Sequence, residues 1–350
     1  MQRQDSGMPF LLQYENVAWY EDGQVRILDR RVFPGQKKFV YCKTYQAVIK
    51  AIQDMVTQSA GPYTAVGMGM ALAAYQCKDR SEDEQISFLT KAACELGNAR
   101  PTTANRYSAI TNRALKQQKE AIKNGKSAIE AAFNDTIDSL NRRYMTMQKV
   151  GNYLVDIMPN NSSFLTQCYG ETIIGAIIRR AKETNKTLKA YDAVTEPFLQ
   201  GSRLTASCFQ EAGFDTTVID DNMVNFVLER GDIDFYTSAA DTIAMDGHIA
   251  NKIGTKQIAI LAKRIGIPYF VTGIPDQDKL TGETIKIEYR DSKQALQFGS
   301  QKIAVDGVNS IYPAFDITPP YLIDGIVTDK GIFSPYNLSA YSNFGKENFY

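Results

Sequence analysis

Asp241 and Cys168 each carry a side chain that can transfer protons, and each follows a short apolar stretch of the chain. The short run at residues 234–238 leads into Asp241 and then into a Gly-rich turn that opens a helix. Because an ionised carboxylate inside a buried strand loses much hydration energy, we expect Asp241 just past the end of a strand, where it can serve chemistry. The alternatives are that Asp241 only caps a turn and that Cys168 is a buried apolar filler.

The second half of the chain carries the pattern that would bring these two residues together. From about residue 163 onward, short apolar runs alternate with amphipathic helices, which predicts a parallel sheet covered on both faces. We predict strands at residues 163–166, 187–191, 216–219, 233–238 and 268–271. Since open sheets bind ligands at the carboxyl ends of their strands, the residues just past the five strands should converge on one rim. They are Cys168, 192–196, 220–222, Asp241 and 272–273, so one thiol and several acids meet there.

The first half of the chain has a different hydrophobic pattern. Residues 17–28 alternate and predict a hairpin that turns at Asp22-Gly23. Helical spacing follows at residues 45–57 and 68–75, and then over 106–158 with breaks near Gly125 and Gly151. The predicted fold class is therefore α/β. Its parts are an N-terminal mostly helical domain with a small β hairpin (1–120), a connecting helix (121–160) and a C-terminal doubly wound, Rossmann-like parallel sheet (161–350).

The balance of charged residues and the lack of long apolar runs limit which partners the protein can bind. Lys plus Arg and Asp plus Glu each number 39, so the chain has no net field to gather nucleic acid or an anionic membrane. The first residues lack an apolar signal core, and no run approaches the roughly 20 apolar residues that span a bilayer. We therefore expect a cytoplasmic protein that acts on a small molecule.

Cysteine, histidine and glycine spacing bears on cofactors. The five cysteines are an odd number without a C-x-x-C pair, and His248 is the sole histidine, which disfavours disulfides and a multi-histidine metal site. No G-x-G-x-x-G follows the first predicted strand, so a dinucleotide is not supported. We expect no metal and no organic cofactor.

A series of motifs runs through the chain in order. They are V-R-I-L-D at 25–29, R-P-T-T-A-N at 100–105, T-Q-C at 166–168, L-Q-G-S-R-L-T-A at 199–206, D-N-M at 221–223, the stretch 240–255 and P-A-F-D-I-T-P at 313–319. This series resembles the methylthioribose-1-phosphate isomerases and their relatives, the ribose-1,5-bisphosphate isomerases and the regulatory subunits of translation initiation factor 2B. The resemblance implies a homodimer, and in the isomerases the positions of Cys168 and Asp241 hold the catalytic pair. The regulatory subunits generally lack that cysteine.

The resemblance implies an aldose–ketose isomerisation. An aldose phosphorylated at C1 is locked as a ring, so the reaction needs ring opening and then transfer of hydrogen from C2 to C1. A carboxyl buried among apolar residues can hold a proton for ring opening, and a thiol near helix N-termini can shift toward thiolate and relay a proton. The hydrogen can move as a proton through an enediol or as a hydride, and the residues leave both open.

Ligand-holding residues also carry over from the resemblance. Arg100, Gln200, Asn251 and Lys252 match positions that grip phosphate, and Asn222 would orient sugar hydroxyls. Arg100 can present two parallel donors, and Lys252, expected in the first turn of a helix, would add charge to the helix dipole. The alternative is that these two cations pair with acids at a domain interface.

Departures from the family pattern keep a second function open. Residues 58–67 stand where the family has R-G-A-P-A-I-G, but they contain no arginine, and Glu196 replaces another arginine. Both changes weaken phosphate binding, so the sugar can differ from methylthioribose 1-phosphate, with 5-deoxyribose 1-phosphate as one candidate. The rival function is a non-catalytic regulatory or sugar-phosphate- or nucleotide-sensing protein.

Overall fold

The computed structural model describes residues 3–100, 104–299 and 301–345. By its internal contacts the chain divides into two compact units, and the boundary between Met145 and Thr146 falls inside a long helix. The predicted domain limits at residues 120 and 160 stay a prediction.

The first unit combines a three-stranded antiparallel sheet with helices. Its elements are β1 (Ala18–Glu21), β2 (Gln24–Leu28), β3 (Phe39–Cys42), α1 (Tyr45–Gln53), α2 (Gly61–Cys77), α3 (Glu82–Gly97), α4 (Ala104–Lys123) and the first part of α5 (Ala128–Ile157). The predicted hairpin is present, with positive φ at Asp22 (45°) and Gly23 (76°), as a tight two-residue turn requires. The sequence analysis missed β3, which pairs with β2.

The core of this unit surrounds α2. Nearly every residue of α2 is buried, so the helix lacks the one-sided apolar pattern by which surface helices are recognised. For this reason the start predicted from helical spacing, residue 68, is seven residues too late, and the helix begins at Gly61.

The second unit is built on a seven-stranded sheet. Its elements are β4 (Ser162–Gln167), α6 (Glu171–Glu183), β5 (Leu188–Ala193), α7 (Ala206–Glu211), β6 (Asp215–Ile219), α8 (Val224–Glu229), β7 (Phe235–Ala239), β8 (Thr242–Ile243), β9 (Ile249–Lys252), α9 (Thr255–Ile265), β10 (Tyr269–Thr272), β11 (Gln297–Phe298), β12 (Gln301–Lys302), β13 (Phe315–Thr318), β14 (Gly325–Thr328), β15 (Gly331–Phe333) and α10 (Ser339–Ser342). The strand order is β15-β14-β10-β7-β4-β5-β6, and every pair is parallel except β14 with β15.

This sheet confirms the predicted doubly wound class. The five predicted strands are β4, β5, β6, β7 and β10, each within two residues of its expected start. From β4 the chain adds β5 and β6 on one side, then returns to add β7, β10 and β14 on the other. The strand order thus reverses between β4 and β7.

A smaller antiparallel sheet, β13-β9-β8, was not predicted. Between Asp241 and the helix α9 the chain folds back on itself, so that β8 pairs with β9 before the helix starts. The predicted direct passage from the acid into a helix is therefore wrong, because β9 is paired on its other edge by the distant β13 and is held as a strand.

Gly151 does not break α5, contrary to the prediction. A Cβ atom at this position would lie 2.5 Å from the Cβ of Ala176 and 2.9 Å from its carbonyl carbon. The glycine therefore allows α5 and α6 to approach closely within the second unit, and this contact outweighs its low helix propensity. In the described part of the chain, no helix is long and apolar enough to cross a membrane.

We predict that Gly151→Ala lowers the free energy of unfolding by about 1–3 kcal/mol, because the added methyl group overpacks the contact with Ala176. Helix propensity alone would give the opposite sign, a gain of about 0.5–1 kcal/mol. Urea unfolding followed by circular dichroism measures the difference. Lys149→Ala, at an exposed position of the same helix, is the control and should stay within about 0.5 kcal/mol of the parent. A Gly151→Ala variant as stable as the parent would contradict the packing argument.

Candidate functional site

Cys168 sits on a tight turn immediately after β4. Its φ is 59°, a left-handed conformation that non-glycine residues seldom adopt, and its side chain is half-buried. Two threonines hold this turn. The backbone N–H of Cys168 donates to Thr195 Oγ1 at 2.8 Å, and the Thr205 hydroxyl donates to the Cys168 carbonyl. The strained turn points to a site whose geometry the surrounding structure maintains.

The segment from Thr195 to Thr205 wraps this turn. A Cβ at Gly201 would lie 1.8 Å from the carbonyl oxygen of Ala193, so only glycine fits where the segment crosses the end of β5. The carboxylate of Asp221 accepts hydrogen bonds from the N–H groups of Thr195 and Glu196, both at 2.8 Å. Backbone contacts to two neighbouring strand ends thus fix the segment.

Asp241 lies just past β7, as predicted. Its N–H donates to the Ala250 carbonyl at 2.9 Å, which ties it to β9. The residue is exposed, however, so the apolar burial on which the sequence argument relied is not present in this chain. Solvent can stabilise the charge of the carboxylate there.

Lys252 and Asn251 lie on β9, beside this acid. Lys252 is 4% exposed, with its Nζ 4.5 Å from the centre of the Phe315 ring, and its carbonyl accepts from Gln167 Nε2 at 3.1 Å. The predicted place of Lys252 in a helix is wrong, since it is the last residue of a strand and α9 begins at Thr255. The Asn251 amide donates to the hydroxyl of Thr255 at 3.0 Å.

The groups around Cys168 shift the pKa of its thiol in opposite directions. Burial raises the pKa of the thiol above its usual value, Lys252 and Arg290 lower it, and Asp241 raises it. The N–H of Tyr169 also favours the thiolate. Because burial outweighs the cations, the shift toward thiolate expected from the sequence is reversed, and the thiol keeps its proton at neutral pH.

Arg290 and Tyr312 were missed by the sequence analysis. Both act electrostatically with Cys168, and they lie on the long irregular segment between β10 and β13. The Arg290 N–H donates to the Tyr312 carbonyl at 2.9 Å, which joins two residues far apart in sequence. No periodic pattern marks either residue, so sequence alone offered no signal for them.

The remaining predicted residues are placed as follows. Gln200 is 2% exposed and immediately precedes a π-helical turn, Gly201–Thr205. Asn222 is exposed, on a 3-10 turn after β6. Arg100 is half-buried and belongs to the first unit, and the following residues of its motif, 101–103, lie outside the described part of the chain. The second unit therefore brings together Cys168, Asp241, Asn251 and Lys252.

Two buried arginines lie at the N-terminus of α2, in the segment that lacks the family's arginine. Arg30 is fully buried and donates to the Gln58 carbonyl, and Arg143 is 2% exposed and donates to the Ala60 carbonyl at 3.4 Å. The positive end of the helix dipole adds to this potential. The first unit thus carries positive charge at this point without an arginine in residues 58–67.

A second acid with unusual surroundings caps α9. Asp316, on β13, accepts from Gly254 N–H at 2.8 Å and from Lys256 N–H at 3.1 Å. Burial raises the pKa of Asp316 from 3.8 to about 6, although these two N–H groups and the charge of Lys256 oppose the shift. Within the described residues, no group of three or more His, Cys, Asp and Glu side chains is placed to hold a metal ion.

We predict a pH-dependent stability contribution from Asp316. Since its pKa in the folded protein is raised, the contribution is complete below pH 3.8 and is lost as the pH rises through about 6. The difference in unfolding free energy between the protein and Asp316→Asn should therefore change over this interval and be flat above it. Urea unfolding at a series of pH values measures it. A constant difference across this range would refute the raised pKa.

Comparison with known proteins agrees with this architecture. Residues 59–335 match the Initiation factor 2 subunit family. The methylthioribose-1-phosphate isomerase of Syntrophotalea carbinolica is 36% identical over 335 residues, which cover 89% of this chain and 94% of that protein. The crystal structure of 5-methylthioribose 1-phosphate isomerase from Pyrococcus horikoshii has a TM-score of 0.81 at 29% identity, covering 94% of this chain and 95% of that one.

A relative named as a translation initiation factor also has a similar structure. Subunit delta of translation initiation factor eIF-2B from A. fulgidus has a TM-score of 0.79 at 28% identity and covers 91% of this chain and 96% of that one. Fold similarity alone thus does not separate relatives named as isomerases from relatives named as initiation factors. The family match over most of the chain, together with the isomerases above 30% identity, shows that this chain belongs to the Initiation factor 2 subunit family and is an enzyme of the isomerase class.

Proposed function

We propose that this enzyme converts a 5-substituted ribose 1-phosphate, with methylthioribose 1-phosphate as the first candidate, to the corresponding ribulose 1-phosphate. The observation that carries the proposal is the position of Cys168 and Asp241, which follow the adjacent strands β4 and β7 at the point where the strand order reverses. Crevices at such points are where doubly wound sheets bind their ligands. The names of the isomerase relatives support the substrate class.

The chemistry requires one proton donor and one proton acceptor. Protonation of the ring oxygen breaks its bond to C1, the C2 hydrogen moves to C1, and the C2 hydroxyl loses its proton to leave a ketone. The proton taken up and the proton released balance, so the reaction needs no external oxidant. Cys168, whose thiol stays protonated because burial raises its pKa, suits the donor, and the exposed carboxylate of Asp241 suits the acceptor.

Phosphate binding follows from charge in the same unit. Lys252 is almost fully buried next to the Cys168 turn, and a buried cation gains much from an anionic ligand. Asn251 adjoins it on the same strand. We assign Gln200 to phosphate binding and Asn222 to the sugar hydroxyls as part of this proposal, and the phosphate role of Arg100, which belongs to the first unit, stays a prediction from the sequence.

We predict that Cys168→Ser and Asp241→Asn each reduce turnover by about 100-fold or more, because each removes one proton-transfer group. Proton NMR of the protein incubated with methylthioribose 1-phosphate, 5-deoxyribose 1-phosphate and ribose 1,5-bisphosphate follows the appearance of the ketose. Cys94→Ser, at an exposed cysteine of the first unit, and Asp220→Asn, at an exposed acid after β6, are matched controls and should keep full activity.

The three sugars separate the candidate functions. The sugar with the highest kcat/KM identifies the 5-substituent. If none is converted but one binds, the proposal fails and the regulatory function of the initiation-factor relatives takes its place. That second candidate is favoured by one observation, the missing arginine in residues 58–67.

We also propose that the enzyme is a homodimer. Large apolar side chains are exposed along the segment before β13, where Leu280, Tyr289, Ile303, Val305 and Ile311 are each at least 62% exposed. Exposed apolar side chains concentrated in one segment are typical of a surface that a partner covers. We predict that light scattering after gel filtration gives twice the chain mass of 39.1 kDa, and a mass of one chain at micromolar concentration would overturn the assignment.

A further inference from the structure

We propose that Arg290 contacts the substrate, with its guanidinium Nη1 donating a hydrogen bond to an anionic oxygen of the sugar phosphate bound beside Cys168. This inference rests on the proposed function and extends it by one residue. It starts from a donor that the fold buries and leaves without a partner.

Burial and hydrogen bonding set Arg290 apart. Its side chain is 10% exposed, and its Nε lies 3.3 Å from Glu288 Oε1. Nη1 is buried and has no hydrogen-bond partner among the residues that the structure describes. Since a buried donor without an acceptor is costly, such a group in a native protein points to an acceptor that arrives with a ligand.

The backbone holds Arg290 close to the reacting residues. The Ala314 N–H donates to the Glu288 carbonyl at 2.8 Å. Ala314 directly precedes β13, and Glu288 lies close to Arg290 in the sequence, so this bond ties the Arg290 segment to β13. In β13, Phe315 pairs with Lys252 of β9, and the Lys252 ammonium lies over the Phe315 ring. Arg290 and Lys252 are thus attached to the same small sheet.

Tyr312 forms one wall beside the guanidinium. The Arg290 Cζ lies 5.7 Å from the centre of the Tyr312 ring, within the range of a cation–π contact. The Tyr312 hydroxyl is also buried and forms no hydrogen bond of normal geometry among the described residues, although the Arg290 side chain lies close to it. Burial raises the pKa of Tyr312, and Arg290 lowers it. The hydroxyl therefore stays protonated and can donate to the same oxygen.

The surrounding charges favour an anion. The charged side chains that act on the Cys168 sulfur are Asp241, Lys252 and Arg290, and the N–H of Tyr169 also acts on it. The sulfur therefore has two cations and one carboxylate around it. Glu288 offsets part of the charge of Arg290. An oxygen anion next to Cys168 would be attracted by both cations, and the planar guanidinium would fix its direction.

The test measures protection of Cys168 from iodoacetamide, which does not depend on turnover. The alkylated peptide containing Cys168 is quantified by mass spectrometry, without ligand, with inorganic phosphate and with methylthioribose 1-phosphate. The variants are Arg290→Gln, Arg290→Lys and, as the matched control, Glu288→Gln, which removes the ion pair but keeps the guanidinium. Thermal unfolding shows that each variant is folded.

We expect Arg290→Gln to raise the pKa of the Cys168 thiol, so that alkylation without ligand slows, by about tenfold if the shift is one unit. Protection by either anion should then need about tenfold more ligand. In Arg290→Lys, the pH dependence of Cys168 alkylation should stay close to that of the parent, because the positive charge is kept. Protection by the anions should still weaken about threefold, because an ammonium lacks the second, directed donor. Glu288→Gln should protect at least as well as the parent, because it removes a negative charge that offsets Arg290.

Two results would overturn the inference. One is unchanged protection in both Arg290 variants, and the other is an equal loss in Glu288→Gln, which would assign Arg290 to holding the segment in place. Arg290→Lys keeps the test valid if Arg290→Gln does not fold. If phosphate protects in an Arg290-dependent manner while no sugar is isomerised, the anion contact stands and the proposed reaction falls.

Discussion

The left-handed turn at Cys168 is the constraint on which the site depends. A non-glycine residue at φ 59° costs on the order of 1 kcal/mol or more, so it persists only where its neighbours hold it. Thr195 and Thr205 bind the turn from one side. The adjoining Gln167 side chain donates to the Lys252 carbonyl on the other, so β4, β9 and the segment after β5 meet at one residue.

Desolvation and charge oppose each other at this turn. The thiol is placed where burial raises its pKa, while Lys252 and Arg290 act to lower it. In the proposed reaction, a thiol that stays protonated can donate its proton to the ring oxygen, while the neighbouring cations attract the anionic end of the substrate. Binding an anion would also supply the acceptor that Arg290 Nη1 lacks.

Much of this arrangement was predictable from the sequence. Alternating apolar runs and helices are a local pattern, so the five strands and the positions of Cys168 and Asp241 at strand ends followed from periodicity. The errors share one cause, which is pairing or packing with distant residues. Lys252 lies in a strand because β13 pairs with β9, and Gly151 stays helical because Ala176 lies against it.

The sequence by itself determined the fold class, the family and the placement of Cys168 and Asp241 just past strand ends, because these depend on patterns and motifs that are contiguous in the chain. Only the tertiary structure decided the exposure of Asp241, the direction of the thiol pKa shift and the presence of Arg290 and Tyr312 near Cys168. Burial and electrostatics depend on which residues surround a group in space, and those neighbours come from segments that are distant along the chain.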